Sequence, residues 1–259
     1  MKTDVPPQNP TQTLQRPDGA TIAYHAISGK SPGVIFLGGF MSDMTGTKAL
    51  ALENSCVAAG RAFVRFDYLG HGQSSGDFVE GTIGRWRDDA LAVLDELTEG
   101  PQVLVGSSMG GWIMFLAALA RPQRVGGLVG VAPAPDFTRH LMWDGFDDDI
   151  RATLKRDGVY LEPSEYGDEP YKITLQLIEE GDSHMILEGG IDLDCPVRIL
   201  HGMKDPDVPW QHALTIVDAL ASTDVVLSLA KDGDHRLSEP DDIDRLITTV
   251  ETLCRKLGA

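Results

Sequence analysis

The chain has 259 residues, room for one large α/β domain or two small ones, and its 42% apolar content supports a full core. With 39 acidic against 22 basic residues the net charge is -17, which repels phosphate backbones and anionic membrane surfaces and argues against nucleic acid as a partner. No run of about twenty apolar residues occurs, so no membrane span is expected.

Met1 to Thr11 is polar, carries three prolines, and reads as a loose tail. Met1 to Gly19 lacks the apolar core of a secretory signal and the basic character of a transit peptide, so a cytoplasmic protein is expected. Leu14 to Arg16 and Thr21 to His25 flank the turn Pro17-Asp18-Gly19 and predict a hairpin. Val34 to Leu37 is a short buried strand running into Gly38-Gly39-Phe40-Met41, and Lys48 to Ala59 is helical. Ala62 to Asp67 is the next strand, followed by a glycine-rich loop and a helix marked by Trp86, Ala90, Leu94 and Leu97. Val103 to Val105 ends a buried strand, and Met109 to Ala120 is a helix. Gly127 to Val131 is a strand that ends at Pro133-Ala134-Pro135.

There the alternation breaks. Asp136 to Asp194 contains short amphipathic pieces and is too long for a connection, so it reads as an inserted cap, 136-194, within a single domain, 1-259. Val197 to Leu200 resumes the sheet, and Gln211 to Ala221, Val225 to Leu229 and a last helix after Pro240 complete it. Alternating strands and helices predict a mostly parallel central sheet with helices on both faces.

The residues that carry chemistry lie where such a sheet gathers them, at the carboxyl ends of its strands. Gly106-Ser107-Ser108-Met109-Gly110 places Ser108 on a strand-to-helix turn, above a helix N-terminus that favours developing negative charge. A serine nucleophile needs a base, and the base needs an acid to orient it. Asp205 follows the strand ending at Leu200, and His235 follows the strand ending at Leu229. Asp207 and Asp136 are the rival acids; the other six histidines sit in the hairpin, loops, a helix start or the cap, and His201 reads as a loop holder. The oxyanion hole is expected from the N–H groups of Met109 and Phe40, with Met41 the alternative to Phe40. Met142 and Trp143 in the cap are candidates for the substrate pocket, packing being the alternative for Trp143. Cys56, Cys195 and Cys254 lack metal-ligand spacing, and Asp147-Asp148-Asp149 reads as a helix start, so no metal and no cofactor is expected.

The order Ser, Asp, His is that of the α/β-hydrolases. The chain also resembles, more narrowly, the animal mitochondrial palmitoyl-protein thioesterase and acyl-glucuronide esterase family and its bacterial relatives. Gly46-Thr47-Lys48-Ala49-Leu50, Arg65-Phe66-Asp67-Tyr68, Gly106 to Trp112, His201 to Asp205 with Val208-Pro209-Trp210, Ser222 to Val225 and Asp234-His235-Arg236 carry this resemblance. It implies an α/β-hydrolase fold and hydrolysis of acyl esters or acyl thioesters, S-acylated protein among the candidate substrates, by a triad of Ser108, Asp205 and His235. C–C bond hydrolase, aminopeptidase and lysophospholipase remain rivals on the same scaffold, and a non-catalytic ligand receptor is the rival from another class.

Overall fold

A computed structural model describes residues 10–163 and 170–258. Most of the tail expected over Met1 to Thr11, and 164–169 of the expected cap, fall outside them. The chain opens with an antiparallel pair, β1 (Gln12–Gln15) and β2 (Thr21–Ile27). Then follow β3 (Lys30–Leu37), α1 (Thr47–Ala58), β4 (Arg61–Phe66), α2 (Ile83–Leu97), β5 (Gln102–Ser107), α3 (Met109–Ala120) and β6 (Val125–Val131). After the inserted segment come β9 (Val197–Gly202), α6 (Gln211–Ala219), β10 (Val225–Ala230) and α7 (Pro240–Leu257). The segment itself holds α4 (Asp148–Asp157), a small antiparallel pair of β7 (Val159–Glu162) and β8 (Tyr171–Thr174), and α5 (Leu175–Gly181).

The eight-stranded sheet runs β1-β2-β4-β3-β5-β6-β9-β10, and from β4 to β10 every pairing is parallel. The central strands are apolar because both faces are covered. Ala49, Leu52 and Cys56 of α1 and Leu246, Val250 and Leu253 of α7 close one face. Trp86 and Val93 of α2, Ile113 and Phe115 of α3, and Ala213 and Ile216 of α6 close the other. The chain order reverses at β3, which pairs with β4 on one side and β5 on the other. The loops after β3 and β5 therefore leave in opposite directions and open a crevice at their carboxyl ends, where ligands of open α/β sheets bind.

One core group makes stability depend on pH. His71 is buried among Tyr68, Phe78 and Trp86, with Nδ1 3.1 Å from Leu69 O. Burial pulls its pKa from 6.5 down to about 4. In that window the unfolded chain takes up a proton that the folded chain refuses, so stability is fully present above the unfolded value and falls as pH falls toward 4. The loss is at most about 3 kcal/mol. His71→Phe is expected to flatten the urea midpoint between pH 6.5 and 4 relative to the unmodified chain. Asp89, raised to about 6 by burial, acts in the opposite sense but is present in both proteins, so the comparison cancels it.

Candidate active site

The turn after β5 is built by glycines. A Cβ on Gly106 would lie 2.3 Å from Gly110 O, and one on Gly110 2.2 Å from Leu37 O. The two ends of the turn and the end of β3 are in backbone contact, so no side chain fits at either position. Ser108, between them, has φ 54 and ψ -120, a strained region for a residue with a Cβ. Its N–H donates to Val131 O at 2.9 Å, and its C=O accepts from Gly111 and Ala134. Strain held by that many bonds points the hydroxyl out of the sheet and over the start of α3.

The acid and the histidine arrive on two loops locked together. Lys204 N donates to Gly233 O and Met203 N to Ala230 O, and a Cβ on Gly202 would lie 2.3 Å from Gly233 O. The Asp205 side chain is fully buried. Its Oδ1 accepts from the N–H groups of Asp207 and Val208, at 2.9 and 2.8 Å. His235 Nδ1 lies 2.8 Å from Asp205 Oδ2, and His235 Nε2 lies 3.0 Å from Ser108 Oγ. An ionised carboxylate only accepts, so Nδ1 carries the proton and Nε2 is left to accept from the serine hydroxyl. Burial opposes the charge on Asp205, but hydrogen bonds from His201 and His235 outweigh it and hold the carboxyl well below the usual range. Asp205, Asp207 and His235 also bring one ligand atom each within 4.8 Å of one another. The carboxylate and imidazole of that cluster are already joined to each other and, through His235, to Ser108.

Of the rival acids, Asp136 is buried and accepts from Ile186 N and Leu187 N at 2.9–3.2 Å, fastening the far end of the inserted segment beneath its start. Asp207 lines the cleft beside Glu162, whose pKa is raised by burial and then by Asp207. Asp234 caps the turn at Leu237 N.

A cleft of about 700 Å³ lies over Ser108 and His235. Phe40, Met109, Phe137, Leu141, Met142 and Phe146 give it an apolar wall. Among the described residues neither the Phe40 nor the Met109 amide donates a hydrogen bond, so both remain available to an oxygen in the cleft. Lys48 forms part of the rim, where burial and Arg236 lower its pKa to about 8 and its ammonium donates to Arg236 O.

Trp143 does not line this cleft, contrary to expectation. It packs against the small core of Phe146, Leu154, Ile173 and Ile178, and Arg139, Arg151 and Lys155 stand 5.6–5.8 Å from its ring centre. Three cations over one indole hold it as a structural post of the inserted segment. Met142, its neighbour, faces the cleft. Asp147 caps α4 by accepting from Ile150 N, so the acidic triplet is a helix start.

Sequence reading missed the support beneath the loop after β3. Buried Arg65 donates to Met44 O, and Asp67 accepts from Met44 N at 2.7 Å and from Gln73 N at 2.8 Å. The two charged residues at the end of β4 thus hold the loop that carries Phe40. Charged residues closing an apolar strand were the available signal. Tyr171 and Glu162, from the small antiparallel pair, also reach the cleft unannounced.

A doubly wound parallel sheet with a serine on the turn after β5 defines the class: an α/β hydrolase. A family model described as "Serine aminopeptidase, S33" matches residues 32–153. The palmitoyl-protein thioesterase ABHD10, mitochondrial, of Bos taurus is 47% identical over 95% of this chain and 80% of its own length. The crystal structure of a putative hydrolase from Agrobacterium vitis S4 superposes with a TM-score of 0.90 at 45% identity, covering 95% of this chain and all of that one. Alpha/beta hydrolase domain-containing protein 10 from mouse gives a TM-score of 0.89 at 43% identity, covering 96% of this chain and all of that one. The chain belongs to the ABHD10 family of α/β hydrolases. The cytoplasmic location expected from the sequence is corrected by this finding, because the ABHD10 relatives are named as mitochondrial proteins. No helix among the described residues is long and apolar enough to cross a membrane.

Proposed function

We propose that the chain hydrolyses acyl esters and acyl thioesters through an acyl-serine intermediate, in one domain whose segment 136-194 is the cap over the site. The observation that carries this is the hydrogen-bonded sequence Asp205, His235, Ser108 at the floor of a cleft with an apolar wall. His235 Nε2 takes the Ser108 proton as Oγ attacks the acyl carbon. Asp205 keeps the imidazole in the tautomer that can do so and stabilises its charged form. The Met109 amide, at the start of α3, and the Phe40 amide hold the carbonyl oxygen as it gains charge. His235 then protonates the departing alcohol or thiol, and water attacks the acyl-serine by the same steps in reverse. The name of the Bos taurus relative supports an S-acylated protein as the thioester.

The test is turnover of matched acyl-CoA, S-acyl peptide and p-nitrophenyl ester series. The reading is overturned if none is cleaved by folded protein. Chain length probes the wall: Met142→Ala is expected to raise KM for medium and long acyl chains and to leave acetyl esters unchanged. Each lost methylene contact costs about 0.8 kcal/mol at most, so the penalty should grow with length and then level off. Trp143→Ala is expected to lower Tm and leave this length profile unchanged, as befits a residue that packs away from the cleft.

A second reading has one observation in its favour. Glu162 and Asp207 place two carboxylates on the cleft wall, suited to the α-ammonium of a peptide. Release of 7-amino-4-methylcoumarin from aminoacyl substrates at rates rivalling ester cleavage would favour that reading.

A further inference from the structure

A second histidine meets the carboxylate that orients His235. His201, the last residue but one of β9, is completely buried, and its Nε2 lies 2.9 Å from Val208 O and 3.3 Å from Asp205 Oδ2. A carbonyl only accepts, so Nε2 carries a proton, shared between that carbonyl and the carboxylate. Among the described residues His201 Nδ1 has no hydrogen-bond partner. A buried ring nitrogen without a partner is unfavourable for stability, and a leucine or phenylalanine would fill the space without that cost. The ring is therefore poorly explained as filler, and its donor at Nε2 is what an apolar residue cannot supply.

The geometry closes a small cage. Val208 N donates to Asp205 Oδ1 while Val208 O accepts from His201, so one residue ties both the carboxylate and the imidazole to the same turn. Asp205 Oδ2 receives His201 from within the sheet and His235 from the cleft. We infer that His201 is a positioning residue for Asp205, fixing the carboxylate rotamer that faces His235 and sharing its negative charge. The inference rests on the proposed roles of Ser108, His235 and Asp205. The titratable groups facing His201 are Asp205 on its own loop and His212 of α6, with His235 beyond Asp205. Burial lowers the His212 pKa, and its Nε2 lies 2.9 Å from Pro135 O.

The test is a double-mutant cycle read by kinetics and pH profile on a p-nitrophenyl ester. His201→Phe keeps a ring and loses the donor. It is expected to lower kcat roughly ten- to hundredfold, the worth of a hydrogen bond to a charged group, with KM little changed. Without the His201 donor, Asp205 pulls harder on the His235 proton, so the acid limb of kcat/KM should move to higher pH. His201→Gln, whose amide N–H can reach Asp205, should recover most of both. In an Asp205→Asn background His201→Phe should cost nothing further, because it acts through that carboxylate. If His201→Phe does not fold, His201→Asn, too short to reach, takes its place in the cycle. Unchanged kcat and an unmoved acid limb overturn the inference, as does an equal loss in the Asp205→Asn background. Wild-type turnover by Asp205→Asn alone would instead overturn the triad on which it rests.

Discussion

Ser108→Ala is expected to keep the fold and Tm while losing about three or more decades of kcat on every ester and thioester tested. Stability is spared because the hydroxyl does no structural work. Ser108 occupies the N-cap of α3 without capping it through its side chain, and Oγ bonds to His235 Nε2 alone among the described residues. The strained turn is held by main-chain bonds from Val131, Gly111 and Ala134, all kept by alanine. In the proposed mechanism, what is lost is the atom that forms the acyl bond. Residual rate should come from the two amides and from binding. Circular dichroism and thermal melts alongside steady-state kinetics check both halves. A variant that turns over at near wild-type rate would remove Ser108 from the mechanism.

Asp205→Asn carries the other large effect, a fall in kcat of about four decades with the loop intact. Asparagine can keep its oxygen toward the N–H groups of Asp207 and Val208, which leaves its amide NH2 facing His235. Donor then meets donor, and His235 must turn its protonated nitrogen toward Ser108, where it cannot accept. Asp136→Asn is the control. Asp136 fastens Ile186 and Leu187, so its loss should lower Tm and leave kcat within a few-fold. If instead Asp136→Asn stops turnover in folded protein while Asp205→Asn does not, the acid lies after β6 and the assignment made here is wrong.

The arrangement of the candidate site was more legible in the sequence than the inserted segment was, for a physical reason. Gln102–Ser107 is buried throughout and its middle, Val103 to Val105, shows as an apolar run, while the glycines at 106 and 110 answer to backbone contacts that permit nothing else. Ser108 and the loops of Asp205 and His235 are tied to strand ends, which a parallel sheet brings to one edge. The inserted segment has no such frame. Its small antiparallel pair, Val159–Glu162 with Tyr171–Thr174, is too short to show a period, and its apolar residues divide between a private core and the cleft. Met142 and Trp143 are adjacent in sequence and both touch the segment's own core, yet of the two Met142 alone lines the cleft. Arg139, four residues before Trp143, was the one local hint that a cation would cover the indole. Arg65 and Asp67 act on Met44, over twenty residues away, a pairing no local pattern carries. The cytoplasmic expectation drew on the first residues alone, whereas the relatives named as mitochondrial match the folded body.

The central claim is that one serine, at position 108, carries the acyl group. Incubation with a fluorophosphonate, followed by proteolysis and tandem mass spectrometry, tests it most directly. The adduct should map to Ser108, should be absent from Ser108→Ala, and should be slowed in His235→Ala. An adduct on the adjacent Ser107, or full labelling of Ser108→Ala, would contradict it.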